Sequence, residues 1–193
     1  MRVIAGRLKG RRLKSPKRRR GGEVTLRPLT GRVKEALFNI LQNEIEDSRF
    51  LDLFAGTGAV GIEALSRGAA RAFFVEKDHH AVTAIRENLK ATSFEDRAEV
   101  FCLDARRALS LLGSRGTPFQ IIFIGAPYDS PVLDETLEAL GKLSIADPAG
   151  CVIAEHRKNH TLASDYGSLA WKEDRRYGET VLSFYTVRGG TSS

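Results

Sequence analysis

The segment Leu51-Asp52-Leu53-Phe54-Ala55-Gly56-Thr57-Gly58-Ala59-Val60-Gly61 constrains this chain more than any other stretch of its sequence. An apolar run of strand type ends in a turn carrying two glycines, and a helical pattern begins at once. Glycine permits tight turning and close approach of another backbone or of a ligand. Gly56, Gly58 and Gly61 spell G-x-G-x-x-G, a nucleotide-binding fingerprint that is weak by itself. A strand–turn–helix of this kind belongs in an alternating α/β chain, and the flanking sequence supplies the alternation.

Upstream, Thr30 is placed to cap a helix on which Val33, Ala36, Leu37, Ile40 and Leu41 share one face. Downstream, strands are expected near 72–75, 99–103, 119–124 and 151–154. Helices are expected near 59–67, 79–91, 105–112 and 132–143. The unbroken apolar run Phe119 to Ile124 suits a strand covered on both faces. Two last strands, about 168–174 and 180–187, flank the turn-prone Arg175-Arg176-Tyr177-Gly178 and read as an antiparallel hairpin. Strand–helix alternation implies a doubly wound parallel sheet. A closing hairpin on such a sheet marks the Rossmann-like, seven-stranded methyltransferase variant. The fold class is therefore α/β, with a β-hairpin extension at the N-terminus. The expected division is a basic arm over 1–25, one catalytic domain over 26–188 and a flexible tail over 189–193.

The net charge of +6 is unevenly spread. Residues 1–20 hold ten basic residues and no acid, and the remainder holds 20 basic against 24 acidic residues. The positive character thus lies in the arm, where it suits a phosphate backbone. Val3, Ile4, Leu8 and Leu13 are interleaved with the charges and Gly6 and Gly10 punctuate them, as in a short twisted hairpin followed by a flexible turn over Lys17–Gly22. Arg2, Arg7, Lys9, Arg11, Arg12, Arg27 and Arg32 are the candidate contacts to a nucleic-acid backbone. Cys102 and Cys151 lie in apolar runs and read as buried free thiols. With four scattered histidines they suggest no metal site. No apolar run approaches the ~20 residues of a membrane span. A cytoplasmic protein is expected.

Asp52 sits four residues before Gly56, where a carboxylate suits a cationic amino-acid ligand better than a diphosphate. The string from Asp52 through Phe54, Ala55, Gly56, Thr57 and Gly58 resembles the first motif of S-adenosyl-L-methionine-dependent methyltransferases. Glu76, followed by Lys77, closes the second strand 20 residues beyond Gly56, where an acid accepts from ribose hydroxyls. Asp104 closes the third strand. In such enzymes an acid there commonly meets the adenine amino group, with Ala105 offering its N–H. Asp104 could equally cap the helix that follows, and the two roles are compatible.

The fourth strand ends in Gly125-Ala126-Pro127-Tyr128. Together with Arg2-Val3-Ile4-Ala5-Gly6, the Leu26–Thr30 segment, the cofactor turn and Arg176-Tyr177-Gly178-Glu179-Thr180, it gives a chain that resembles the bacterial 16S rRNA guanine-N2 methyltransferases, the RsmD-like family, over nearly its whole length. The resemblance implies methyl transfer from S-adenosyl-L-methionine to the exocyclic N2 of a guanine in 16S rRNA or the assembling small subunit, by a monomer needing no metal. It also marks a departure. The family's strand-end motif carries Asp or Asn, then Pro-Pro, then Tyr or Phe. Its acid or amide holds a weakly nucleophilic amine, and its aromatic stacks on the extruded base. Here Tyr128 and Pro127 keep their roles, but Gly125 and Ala126 stand at the first two positions. Three alternatives stay open on the sequence: a catalytically weakened SAM- and RNA-binding assembly factor, an NAD-dependent oxidoreductase, and a DNA adenine methyltransferase.

Overall fold

A computed structural model describes residues 1–15, 29–128 and 130–189. The Lys17–Gly22 turn, Arg27 and the end of the tail lie outside the described residues. The helices are α1 (Gly31–Ile40), α2 (Ala59–Ser66), α3 (His79–Thr92), α4 (Ala105–Ser114) and α5 (Val132–Gly141). The strands are β1 (Arg49–Leu53), β2 (Arg71–Glu76), β3 (Ala98–Cys102), β4 (Phe119–Ile124), β5 (Ala146–Arg157), β6 (Asp165–Tyr166), β7 (Leu169–Tyr177) and β8 (Thr180–Val187).

One eight-stranded sheet runs β3-β2-β1-β4-β5-β8-β7-β6. The first five are parallel, and β8 enters antiparallel beside β5 with β7 and β6 following it. The α/β class and the closing hairpin are as expected, with one strand more than the seven. The extra strand, β6, is two residues long and therefore carries no periodicity. The strand near 151–154 also proves longer, because β5 begins at Ala146 and passes an irregularity in its pairing with β4. The last turn is tighter than expected. β7 continues to Tyr177, and Gly178, with φ of +63°, makes the reversal.

Both faces of the sheet are covered. Phe50, Phe74, Phe123 and Ile153 point into a core closed by α1, α2 and α3. Leu51, Val75, Ile124 and Val152 point the other way, into a core closed by α4 and α5. Adjacent strand residues alternate between the two cores, the period-2 geometry of a pleated strand. The helices start where the sequence allows: Thr30 Oγ1 accepts from Val33 N–H, and Asp78 and Asp104 do the same for α3 and α4.

The arm folds back on itself through an antiparallel bridge between Arg2 and Arg12, and a 3₁₀ turn over Gly6–Leu8 makes the bend. Val3 and Leu13 enter the α1–α3 core. The arm is also gripped by polar groups of α2. The amides of Ile4 and Ala5 donate to the two oxygens of Glu63 at 2.8 and 2.9 Å, and the Leu8 amide donates to Ser66 Oγ. Glu63 is fully buried and also receives Lys34 Nζ at 2.9 Å and Arg67 Nε at 3.0 Å. Burial alone would raise its carboxyl, but Lys34, the Ile4 amide and Arg67 hold it below the ordinary value. Glu63→Ala would strand the Lys34 cation and two arm amides, at a cost of ~3–5 kcal/mol. Urea denaturation reads the loss, and faster hydrogen exchange at Ile4 and Ala5 would show the arm lifting.

Candidate active site

Chain direction over the sheet reverses between β1 and β4. From β1 the chain steps outward through β2 to β3, then returns to β4 and steps the other way to β5. Ligands of open α/β sheets bind outside the carboxyl ends of the strands at such a switch. The expected cofactor residues and the strand-end motif converge on this edge: Phe54–Gly58 follow β1, Glu76 ends β2, Asp104 follows β3 and Gly125 follows β4.

The turn after β1 is tightly wound. Phe54, Gly56 and Gly58 have φ of +62°, +56° and +75°. For phenylalanine this left-handed conformation costs ~1–2 kcal/mol, a strain found at ligand sites when the surroundings enforce it. Here the surroundings are carboxylates. Glu76 accepts from the amides of Gly56 and Asp78, each at 2.9 Å, and Asp52 accepts from Gly61 N–H at 2.9 Å. Asp52 is only 2% exposed, so it supports the turn from behind. Burial pushes its carboxyl up to about 7, against the pull of the Gly61 bond and with a further push from Glu76.

This donor set bears on what the turn can hold. A pyrophosphate needs the free amides and positive end of a helix N-terminus. At this turn the Gly56 and Gly61 amides already serve carboxylates, and the local charge is negative. A ligand bearing a positive charge and ribose hydroxyls fits, since each Glu76 oxygen retains a further lone-pair position. Asp104 Oδ1 accepts from Arg107 N–H at 3.0 Å, so it does cap α4, and it is exposed at the same edge, with Ala105 opening the helix. Lys77, which follows Glu76, is also exposed. Gly61 serves packing: a Cβ there would stand 2.4 Å from the Phe74 ring.

At the end of β4, Gly125 N–H donates to Leu53 O at 3.1 Å, tying the strand-end motif to β1. Ala126 is buried and Pro127 exposed. Tyr128 Oη donates to Glu155 Oε1 at 2.6 Å and lies 3.4 Å from Thr180 Oγ1. The Arg157 guanidinium sits 5.3 Å from the centre of the Tyr128 ring. A small pocket opens here, lined in part by Ala126, Tyr128, Ser130, Glu155 and Arg157.

Arg2, Arg7, Lys9, Arg11, Arg12 and Arg32 are all exposed. Arg11 also reaches Ala91 O at 2.6 Å. Several polar residues escaped the sequence reading: Glu63 and Lys34 beneath the arm, Asn88 between the arm and the glycine turn, and Glu155 beside the strand-end motif. Asn88, 1% exposed, donates to the carbonyls of Lys14 and Thr57, both at 3.0 Å, and accepts from Lys14 N–H, so it joins the arm to the glycine turn. A signal existed for Glu63, a lone acid inside the otherwise apolar Ala59–Leu65 run. The cysteines are half-buried, less enclosed than their apolar runs implied. A thiol needs apolar neighbours on both faces for full burial. Cys102 instead meets His79 at the strand end, and Cys151 lies 3.6 Å from Glu44. Among the described residues no helix is long and apolar enough to cross a membrane, and no cluster of His, Cys, Asp and Glu could hold a metal ion.

The family model described as conserved hypothetical protein 95 matches residues 1–186. YlbH of Bacillus subtilis is 37% identical over 189 residues, 98% of this chain and all of that protein. Ribosomal RNA small subunit methyltransferase D of Escherichia coli is 41% identical over 140 residues, 72% of this chain and 66% of that protein. Among solved structures, a hypothetical protein of Thermus thermophilus superposes with a TM-score of 0.82 at 32% identity, covering 97% of this chain and 99% of that one.

Two outcomes test the site. An unfolded Asp titrates near 4, whereas folded Asp52 titrates at about 7. The fold therefore binds the extra proton between those values, and its stability falls as pH rises through that window. Asp52→Asn removes this slope, so melting temperatures at pH 5 and pH 8 draw together in the variant. Gly61→Ala overpacks α2 against β2 and costs about 1–3 kcal/mol, readable by the same melts.

Proposed function

The chain belongs to the conserved hypothetical protein 95 family, among the RsmD-like methyltransferases, and from that premise we propose that it transfers a methyl group from S-adenosyl-L-methionine to the exocyclic N2 of a guanine in small-subunit (16S) rRNA. One observation carries the reading. A carboxylate-braced glycine turn lies at the switch point of the sheet, next to the strand-end Gly125–Tyr128 and under an arm whose cations face outward.

When bound, S-adenosyl-L-methionine supplies an electrophilic methyl on a cationic sulfur. Its ammonium and sulfonium suit the carboxylate of Glu76, with Asp52 bracing the turn from behind. Glu76 suits the ribose hydroxyls, and Asp104 with the Ala105 amide suits the adenine edge. Phe54, Ala55, Gly56, Thr57 and Gly58 form the floor, and Lys77 its rim. Tyr128 would stack on the base, its ring held by the Glu155 bond and backed by Arg157. Arg2, Arg7, Lys9, Arg12 and Arg32 would follow the phosphates, with Arg27 as a further candidate outside the described residues. The protein would act as a cytoplasmic monomer on rRNA or the assembling subunit.

Gly125 and Ala126 favour a second reading, a binder of SAM and RNA that has lost efficient turnover. One assay separates the two: labelled S-adenosyl-L-methionine is given with unmodified small subunits, and the product nucleoside is identified by mass spectrometry. N2-methylguanosine is expected. Binding of both partners without product would favour the second reading. Arg7→Glu with Lys9→Glu should raise KM for the RNA at least about tenfold and flatten its salt dependence, since lost phosphate contacts remove counterion release. Calorimetric affinity for S-adenosyl-L-methionine should stay unchanged.

A further inference from the structure

We propose that Glu155, reaching across from β5, is the catalytic side-chain acceptor for the target amine and fills the place that Gly125 leaves open. The inference rests on the methyltransferase reading above.

The register brings the two residues together. Ile124 pairs with Ala154 in the parallel β4–β5 ladder, so Gly125, just past the end of β4, stands beside Glu155, which is still within β5 and paired with Leu182 of β8, about one strand spacing away. A Cβ built on Gly125 would stand 3.8 Å from Glu155 Oε2 and 3.1 Å from the Phe123 ring. Space that a side chain at 125 would enter is thus bordered by a carboxylate oxygen from the neighbouring strand. Glu155 is 8% exposed, and its other oxygen is fixed at 2.6 Å by the Tyr128 hydroxyl. That bond couples the acid to the ring proposed to stack on the base, so a stacked base and the carboxylate come in one geometry. A carboxylate held in place beforehand, in a site of restricted water, is the kind of group that orients a reacting amine without reorganisation.

The step conserves atoms and charge. A bond forms from the amine lone pair to the methyl carbon as the carbon–sulfur bond of the co-substrate breaks, its electron pair staying on sulfur. The surplus proton on nitrogen leaves to solvent, and Glu155 remains a carboxylate that accepts an N–H bond throughout.

The geometry also bears on a simple repair. An Asp at position 125 in the unaltered background would face Glu155 at close range, two like charges in one site. Restoring the family motif should therefore help only when Glu155 is removed.

The test measures kcat, KM for small subunits, co-substrate affinity by calorimetry and melting temperature. The chains compared are the unaltered one, Glu155→Gln, Glu155→Ala, Gly125→Asp, and Glu155→Ala with Gly125→Asp. Glu155→Ala should lower kcat by ~10²–10³-fold with co-substrate affinity unchanged. Glu155→Gln keeps a partner for Tyr128 and controls for folding, and it should still lose at least about tenfold. Gly125→Asp alone should lower the melting temperature more at pH 8 than at pH 5, and adding Glu155→Ala should cancel that difference. The double variant should recover at least about tenfold over Glu155→Ala, the result most specific to an acceptor role. Equal kcat for Glu155→Ala and the unaltered chain overturns the inference and leaves the methyltransferase reading standing. A loss that Gly125→Asp does not recover makes Glu155 a prop for Tyr128 and overturns the inference as well. An unaltered chain that binds co-substrate and subunits without transfer overturns both.

Discussion

Two carboxylates on neighbouring strands hold the glycine turn after β1, and the character of the site follows from them. Asp52 takes the Gly61 amide and Glu76 takes those of Gly56 and Asp78. With those bonds in place Phe54 tolerates a left-handed backbone that its side chain disfavours. The same bonds use up donors that an anion would seek at the start of α2. A turn whose glycines spell a dinucleotide fingerprint thus presents carboxylates as well as amides. The distinction lies in where the amides point their hydrogens, which a motif of glycines does not encode.

A second buried carboxylate, Glu63, organises the opposite side of α2. It sits in a helix buried all round, and its two oxygens serve Lys34, Arg67 and two amides of the arm. An acid so enclosed is tolerable only when every oxygen is matched. The arm is therefore part of the fold's own hydrogen-bond accounting, as well as a candidate RNA contact. Asn88 extends the connection, since one side chain bonds both the Lys14 segment and the carbonyl of Thr57 in the glycine turn.

Much of this architecture could be read from the chain. The apolar run Phe119–Ile124, the helix capped by Thr30 and the closing hairpin all rest on local patterns, and local patterns survive into the fold. Where reading failed, the information was not local. The two-residue β6 exists through its pairing with β7. The extra length of β5 comes from its neighbours, and the turn at Gly178 shows that a cluster of turn-prone residues marks a region before it marks a bend. In the site, the glycines and acids at strand ends were visible because their spacing carries meaning. Glu155 and Asn88 were not, because each gains its role from a partner far along the chain: Tyr128 for the one, Thr57 and Lys14 for the other. Gly61 was assigned to a fingerprint when its reason is the Phe74 ring.

The body holds the arm by its main chain. Glu63 binds the amides of Ile4 and Ala5, Ser66 the amide of Leu8 and the carbonyl of Ala5, Lys34 the carbonyl of Arg2, and Asn88 both backbone groups of Lys14. Side-chain identity enters through the apolar anchors Val3 and Leu13, through Gly6, where a Cβ would stand 1.9 Å from Ser66 O, and through the Arg11 bond to Ala91 O and the Lys14–Glu87 ion pair. Grip and message are thus written largely in different atoms. Substitutions at exposed arm cations other than Arg11 and Lys14 can retune what the arm touches while its seat stays fixed, so a lineage could drift toward a new RNA shape one residue at a time without first loosening the fold.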